Sequence, residues 1–163
     1  FIRVRSILIS MALSKNDPVL QMTHAEEMIR EQKISFPSIA DNIGLVEKLI
    51  NEICTFYGIS EDYYCNILVA VTEAVNNAIQ HGNKMDPGKK VNLSFLAKEK
   101  NLSFEVSDQG QGFNFKELPD PTNPENLEKP NGRGVFLMKH LADDVEFSNN
   151  GRTVLLNFHI SEN

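Results

Sequence analysis

The sequence predicts one compact domain mixing helices and strands, on three observations. Its 163 residues, 41% of them apolar, are enough for one core. Two stretches repeat apolar residues at helical spacing, and several shorter ones alternate at the period of a strand. No internal repeat or low-complexity run interrupts this pattern, which begins near residue 33.

Residues 1–32 read as an N-terminal extension. Two arginines precede the short apolar run Ile7-Leu8-Ile9, which Ser6 and Ser10 interrupt and Lys15 ends. Such a run is too short and polar for a membrane span, and the cleavage-site chemistry of a secretory signal is lacking. The first residue is Phe1, so Met11, Met22 and Met28 are candidate starts. Thr23 is placed to cap a helix over Thr23 to Gln32.

The domain itself spans residues 33–161. Lys33 to Ser38 reads as an edge strand, because Pro37 cannot donate to a ladder. A helix over Ala40 to Tyr57 places Ile43, Val46, Leu49, Ile50 and Ile53 on one stripe, with Gly58 as terminator. A second helix, capped by the Ser60 hydroxyl, runs to His81, and Gly82 stops it. Val91 to Lys98 and Leu102 to Val106 form a hairpin across Lys100-Asn101. Residues 113–131 contain Pro119, Pro121, Pro124 and Pro130, so they form a long loop of the kind that serves as a functional lid. Gly134 to Leu141 is a short helix, and strands Val145 to Ser148 and Thr153 to Ile160 flank an Asn149-Asn-Gly151 turn.

With 22 acidic and 16 basic residues, the formal charge is −6. That excludes the basic excess that drives phosphate-backbone binding, so no direct nucleic-acid ligand is expected. Cys54 and Cys65 lie in apolar-periodic segments without CxxC or Cys/His spacing and read as reduced core thiols of a cytosolic protein.

Three polar clusters carry the chemistry. On the second helix Ile67, Leu68, Val71, Ala74, Val75 and Ala78 form the apolar face, while Asn66, Ala70, Glu73, Asn77 and His81 share one flank. Glu73 and Asn77 are one turn apart and point to the same place. An amide oxygen can complete a magnesium shell already filled by phosphate and water, and a carboxylate beside it can take a proton from a hydroxyl. A solvated helix flank has the same residues, and a histidine at His81 also suits the last carbonyls of a helix. Asp108-Gln-Gly110-Gln-Gly112 follows a strand, where a fixed carboxylate can accept the amino hydrogen of adenine; an ordinary turn has similar composition. Gly132-Arg133-Gly134 opens a helix, where bare N–H groups favour anions. Neither a Walker A loop nor a dinucleotide fingerprint is present.

Together these clusters resemble the N, G1 and G2 boxes of the GHKL superfamily of ATPases and kinases, with Gly151-Arg-Thr153 in the place of its last glycine–threonine element. The resemblance covers about residues 33 to 160, and the Glu73-x-x-x-Asn77-Ala-x-x-His81-Gly82 form is most similar to the anti-sigma-factor serine kinases. It implies a Bergerat-type α+β two-layer sandwich: a mixed, mostly antiparallel sheet against helices, with an ATP lid between the G1 and G2 boxes. ATP or ADP with Mg2+ is the implied cofactor. By position, Glu73 would be the catalytic base and Asn77 the magnesium ligand. His81, Lys129 and Arg133 would join the nucleotide site. Asp108 would read adenine beside Gly110, and Gly112 would line the base. Gly132 and Gly134 would cradle phosphates, and Thr153 would support the adenine end.

The implied partners are a STAS-domain antagonist, phosphorylated on serine, and a sigma factor held in sequestration. No membrane partner is expected, and the resemblance leaves room for a homodimer. Pro130 departs from the pattern: it stands two residues before Gly132, where the family kinases commonly have an arginine that meets the terminal phosphate. Lys129 and Arg133 flank that place. Two other readings stay open: a non-catalytic, nucleotide-dependent regulatory binder, and the detached ATP-binding half of a two-component histidine kinase. For the latter, His24 is the candidate phosphoacceptor, without the helical bundle such a site needs.

Overall fold

The computed structural model describes residues 31–115 and 132–160. The chain enters as strand β1 (Glu31–Pro37) and, after a 3-10 turn at Ala40–Asn42, forms helices α1 (Ile43–Phe56) and α2 (Glu61–Asn77). Strands β2 (Lys90–Lys98) and β3 (Asn101–Ser107) follow. Helix α3 (Arg133–Leu141), strand β4 (Asp144–Ser148) and strand β5 (Thr153–His159) complete the described elements. The sheet order is β1-β2-β3-β5-β4, and each of its pairings is antiparallel.

Alternation along the strands explains the two layers. In β2, Val91, Leu93, Phe95 and Ala97 are buried, while Lys90, Asn92, Leu96 and Lys98 are exposed. The buried face continues through Leu102, Phe104 and Val106 of β3 and Val154, Leu156 and Phe158 of β5. Phe104 sits at its centre, with ring centroids 5.1 Å from Phe95 and 6.0 Å from Phe158. Against it lie Val46, Ile50 and Ile53 of α1, Ile67, Val71 and Val75 of α2, and Met138 of α3. Burying each large apolar side chain contributes about 1.5–3 kcal/mol. The opposite face is polar: Ser103 donates to Asn157 Oδ1 at 2.6 Å, and Glu105 pairs in register with Ser94. A sheet clothed by helices on one side and polar on the other is the expected two-layer sandwich.

Several local expectations shift. β1 begins at Glu31, so Glu31 and Gln32 belong to a strand and not to a helix ending at Gln32; Thr23 to Arg30 lie outside the described residues. Ser38 falls just outside the strand, and Ala40 opens a 3-10 turn rather than the helix, which begins at Ile43. Gly58 does end α1, at φ +61. Ser60 is extended at the start of α2, but its carbonyl rather than its hydroxyl takes up the helix, accepting the Tyr64 N–H at 2.9 Å. The hairpin turns at Glu99-Lys100, one residue earlier than expected, because Lys98 pairs with Asn101. Ala70 is buried rather than on a polar flank. Cys65 is exposed, so only Cys54 is a core thiol, and burial pushes its thiol up to about 11. Residues 116–131, most of the expected lid, lie outside the described residues, as does Lys129.

α2 does not run to His81 as an α-helix. Its regular turns stop at Asn77, and Ala78–Gly82 is a π turn closed by the Asn83 N–H on the Ala78 carbonyl at 2.8 Å. Such wide turns redirect the residues after them and recur at functional sites.

Candidate functional site

The site has two ends on the helix-covered side of the sheet. At the first, Glu73 and Asn77 project from the last regular turn of α2 and meet the start of α3. A Cβ added to Gly134 would lie 2.8 Å from Glu73 Oε2, 2.9 Å from Asn77 Nδ2 and 3.2 Å from Asn77 Oδ1. With these two side chains where they stand, only glycine leaves them room against the α3 backbone. Gly132, left-handed at φ +95, precedes that helix and its Phe136 N–H bond to the Gly132 carbonyl. The first turn of α3, with backbone N–H groups suited to anions, is therefore in contact with the Glu73–Asn77 pair. Among the described residues, neither Glu73 nor Asn77 uses its side chain in a hydrogen bond or ion pair, so both are available to a ligand.

At the second end, β3 delivers Asp108 against the π turn. Its N–H donates to the Arg152 carbonyl at 3.0 Å, and its Oδ1 accepts the Gly110 N–H at 2.7 Å. A Cβ on Gly82 would strike the carboxylate, lying 2.5 Å from Oδ2. One on Gly110 would strike the Gly82 carbonyl oxygen. The three residues thus meet one another: Gly82 lies against the Asp108 carboxylate, and Gly110 against both that carboxylate and the Gly82 carbonyl. Burial pushes the Asp108 carboxyl above its ordinary range, opposed by the Gly110 N–H and by the charges of Arg152 and Lys89. Oδ2 accepts no hydrogen bond from the described residues, so an amino group entering here would find a charged, partly desolvated acceptor.

The remaining expected positions divide. Thr153 is buried beside Asp108, paired in register with Ser107, and its Oγ1 accepts the Asn149 amide at 3.1 Å. Gly112 is turned towards the β4–β5 turn: at φ +81 its Cα faces the Asn150 carbonyl, which accepts the Phe113 N–H at 3.0 Å. His81 and Arg133 are exposed. Sequence reasoning missed Asn83, a buried amide with partners on β2 and on the loop after Asp108; those partners are too distant in sequence to leave a local signal. It also missed the aromatic root of the loop, where Phe113, Phe115 and Phe147 pack with centroids 5.0 to 6.3 Å apart.

The donor set fits a magnesium–nucleotide rather than a metal held by protein alone. Among the described residues no group of three or more His, Cys, Asp or Glu side chains could hold a metal, while Asn77 offers one neutral oxygen. A divalent ion here needs most of its oxygens from phosphate and water, which is how magnesium commonly arrives with ATP. Two surface hollows, of about 230 Å³ beside Cys54 and Tyr64 and about 280 Å³ on the polar sheet face, lie away from both ends. The start of α3 lies close against the Glu73–Asn77 pair.

Residues 36–158 match the family of the Histidine kinase-like ATPase domain. The chain belongs to that family. ATP binding is the family's shared character, and the GHKL resemblance read from the three boxes is borne out. Similar curated proteins include Serine-protein kinase RsbW of Oceanobacillus iheyensis, 25% identical over 137 residues that make up 80% of this chain and 87% of the relative. Serine-protein kinase RsbW of Bacillus mycoides is 28% identical over 141 residues, 82% of this chain and 88% of the relative. In fold, the chain resembles a crystal structure of the RsbU and RsbW domains of a Mycobacterium tuberculosis protein, with TM-score 0.57 and 18% identity over 81% of this chain. It spans 32% of that longer chain. The likeness bears out the α+β architecture. No described helix is long and apolar enough to cross a membrane.

Proposed function

We propose that this chain is an ATP-binding anti-sigma regulatory factor, a cytoplasmic serine-protein kinase of a partner-switching module that phosphorylates a STAS-domain antagonist and sequesters a sigma factor. The observation that carries the reading is the meeting of Gly134 with Glu73 and Asn77 in the last turn of α2, while Asp108 meets Gly82 and Gly110 at the π turn that directly follows. Similarity to proteins named Serine-protein kinase RsbW over four-fifths of the chain supports the substrate class.

Each residue then has a distinct task. Asp108 accepts the adenine amino group, and Thr153 backs that end. Gly132 and Gly134 admit phosphates to the N–H groups of α3, and Arg133, Lys129 and His81 join the nucleotide site. Asn77 would hold Mg2+, which when bound neutralises charge on the phosphates. Glu73 takes the proton of the antagonist's serine hydroxyl as its oxygen forms a bond to the γ-phosphorus and the bond to ADP breaks.

Pro130, in the place where family kinases commonly carry an arginine, favours slow turnover, in which holding the sigma factor outweighs phosphorylating the antagonist. The test combines the chain, magnesium ATP and a STAS-domain protein from the same genome, and follows the antagonist by mass spectrometry. One phosphoryl group on a serine supports the kinase; an unmodified antagonist beside a stable, nucleotide-dependent sigma-factor complex supports the regulatory binder.

A further inference from the structure

Asn83 is fully buried and belongs to none of the three boxes, yet it joins three segments around the adenine end. Its N–H closes the π turn on the Ala78 carbonyl at 2.8 Å. Its Nδ2 donates to the Lys90 carbonyl at 3.0 Å, where β2 begins, and its Oδ1 accepts the Gln109 N–H at 2.8 Å. Gln109 returns the bond: its Oε1 accepts the Lys90 N–H at 2.6 Å.

These bonds set the direction of Asp108. The N–H of Asp108 is held by the carbonyl of Arg152, just before β5, and the next N–H along the chain is held by Asn83. With the backbone pinned on both sides the Asp108 Cα–Cβ bond keeps its direction, and the Gly110 N–H on Oδ1 then fixes the carboxylate's rotation. The π turn that Asn83 closes also places Gly82 against that carboxylate. An amide is the side chain suited to this place, because it supplies a donor and an acceptor together without burying a charge.

We propose that Asn83 is a positioning residue for nucleobase recognition: it aims the Asp108 carboxylate at the purine 6-position, and so sets selectivity for a 6-amino over a 6-oxo purine. This rests on the reading of Asp108 as the adenine acceptor. A purely structural Asn83 would lower stability and weaken all nucleotides alike; a positioning Asn83 acts on the choice between bases.

The probes are magnesium ATP and magnesium ITP, which differ in the 6-substituent and in the proton that the 6-oxo base carries on N1, titrated by calorimetry into the full chain. Wild-type protein is expected to bind ATP at least about tenfold tighter than ITP, since a carboxylate rejects an oxygen where it expects a donor. In Asn83→Ala, with folding checked by circular dichroism, the ATP-to-ITP preference should fall to about threefold or less, chiefly through lost ATP affinity. Folded Asn83→Ala that keeps the wild-type preference overturns the proposal. Should that variant not fold, Gln109→Pro, which removes the N–H that Asn83 accepts, is compared with Gln109→Ala, which keeps it. Loss of preference in the proline variant alone supports positioning, and equal preference in the two overturns it. Wild-type protein that binds ATP but does not distinguish it from ITP would overturn the adenine reading itself.

Discussion

The two ends of the site are built on opposite principles. Around Asp108 almost every polar atom is already engaged: the carboxylate holds the Gly110 N–H, its own N–H holds Arg152, and Asn83 ties the neighbouring loop to β2. Around Glu73 and Asn77, among the described residues, neither side chain has a partner. What crowds them is the Cα of Gly134, without a bond. The Asp108 end is held by its own bonds before any ligand arrives, whereas the Glu73–Asn77 end is left open to one. That division suits a kinase, whose base contact is constant and whose phosphate contacts change with each transfer.

If the comparison holds, the largest effect belongs to the unengaged end. Glu73→Gln removes a proton acceptor without removing a structural bond, so phosphotransfer should slow by about 10²- to 10⁴-fold. ATP affinity should stay within a few fold by calorimetry. Equal losses in rate and binding would make Glu73 part of the binding shell instead.

Asp108→Asn should act on binding. Replacing a charged acceptor costs about 1.5–3 kcal/mol, seen as roughly a tenfold to hundredfold weaker ATP affinity. Unchanged affinity would place the base elsewhere.

The glycines sharpen the contrast through stability. Gly110→Ala meets a backbone carbonyl that cannot move aside, so urea unfolding should show a loss of about 1–3 kcal/mol. Gly134→Ala meets the ends of two side chains, which can rotate away, so its loss should stay below about 1 kcal/mol while nucleotide binding weakens. Equal losses would mean that the two ends are equally rigid.

The smallest effect concerns pH. Because burial raises the Asp108 carboxyl, the folded state holds that proton more tightly than the unfolded chain, and the stability so gained is lost as pH rises through the folded value. Asp108→Asn should therefore gain in melting temperature relative to wild type as pH rises from acid to neutral. The gain should be small, since the group is only half buried. A constant difference across that range would remove desolvation as the cause.

Much of this arrangement was legible in the sequence because it is local. The Glu73–Asn77 spacing, the alternation in β2 and β3, and Gly58 at the end of α1 all follow from one helix turn or one strand pleat. The π turn was not legible, since Ala78 to Gly82 has the composition of an ordinary helix end and only contacts made after folding widen it. Asn83 was hidden for the same reason: its acceptor bond from Gln109 spans 26 positions. Gly82 was readable as a helix stop but not as the residue whose missing Cβ makes room for Asp108.

The claim on which all this depends is that the two ends belong to one nucleotide. Amide resonances of Gly82, Gly110 and Gly134 can be followed while the chain is titrated first with adenosine and then with magnesium ATP. The expected result is that adenosine moves Gly82 and Gly110 and leaves Gly134 in place, whereas magnesium ATP moves all three with a single dissociation constant. Magnesium ATP that left Gly134 unmoved, or moved it with a different constant from Gly110, would contradict a shared site.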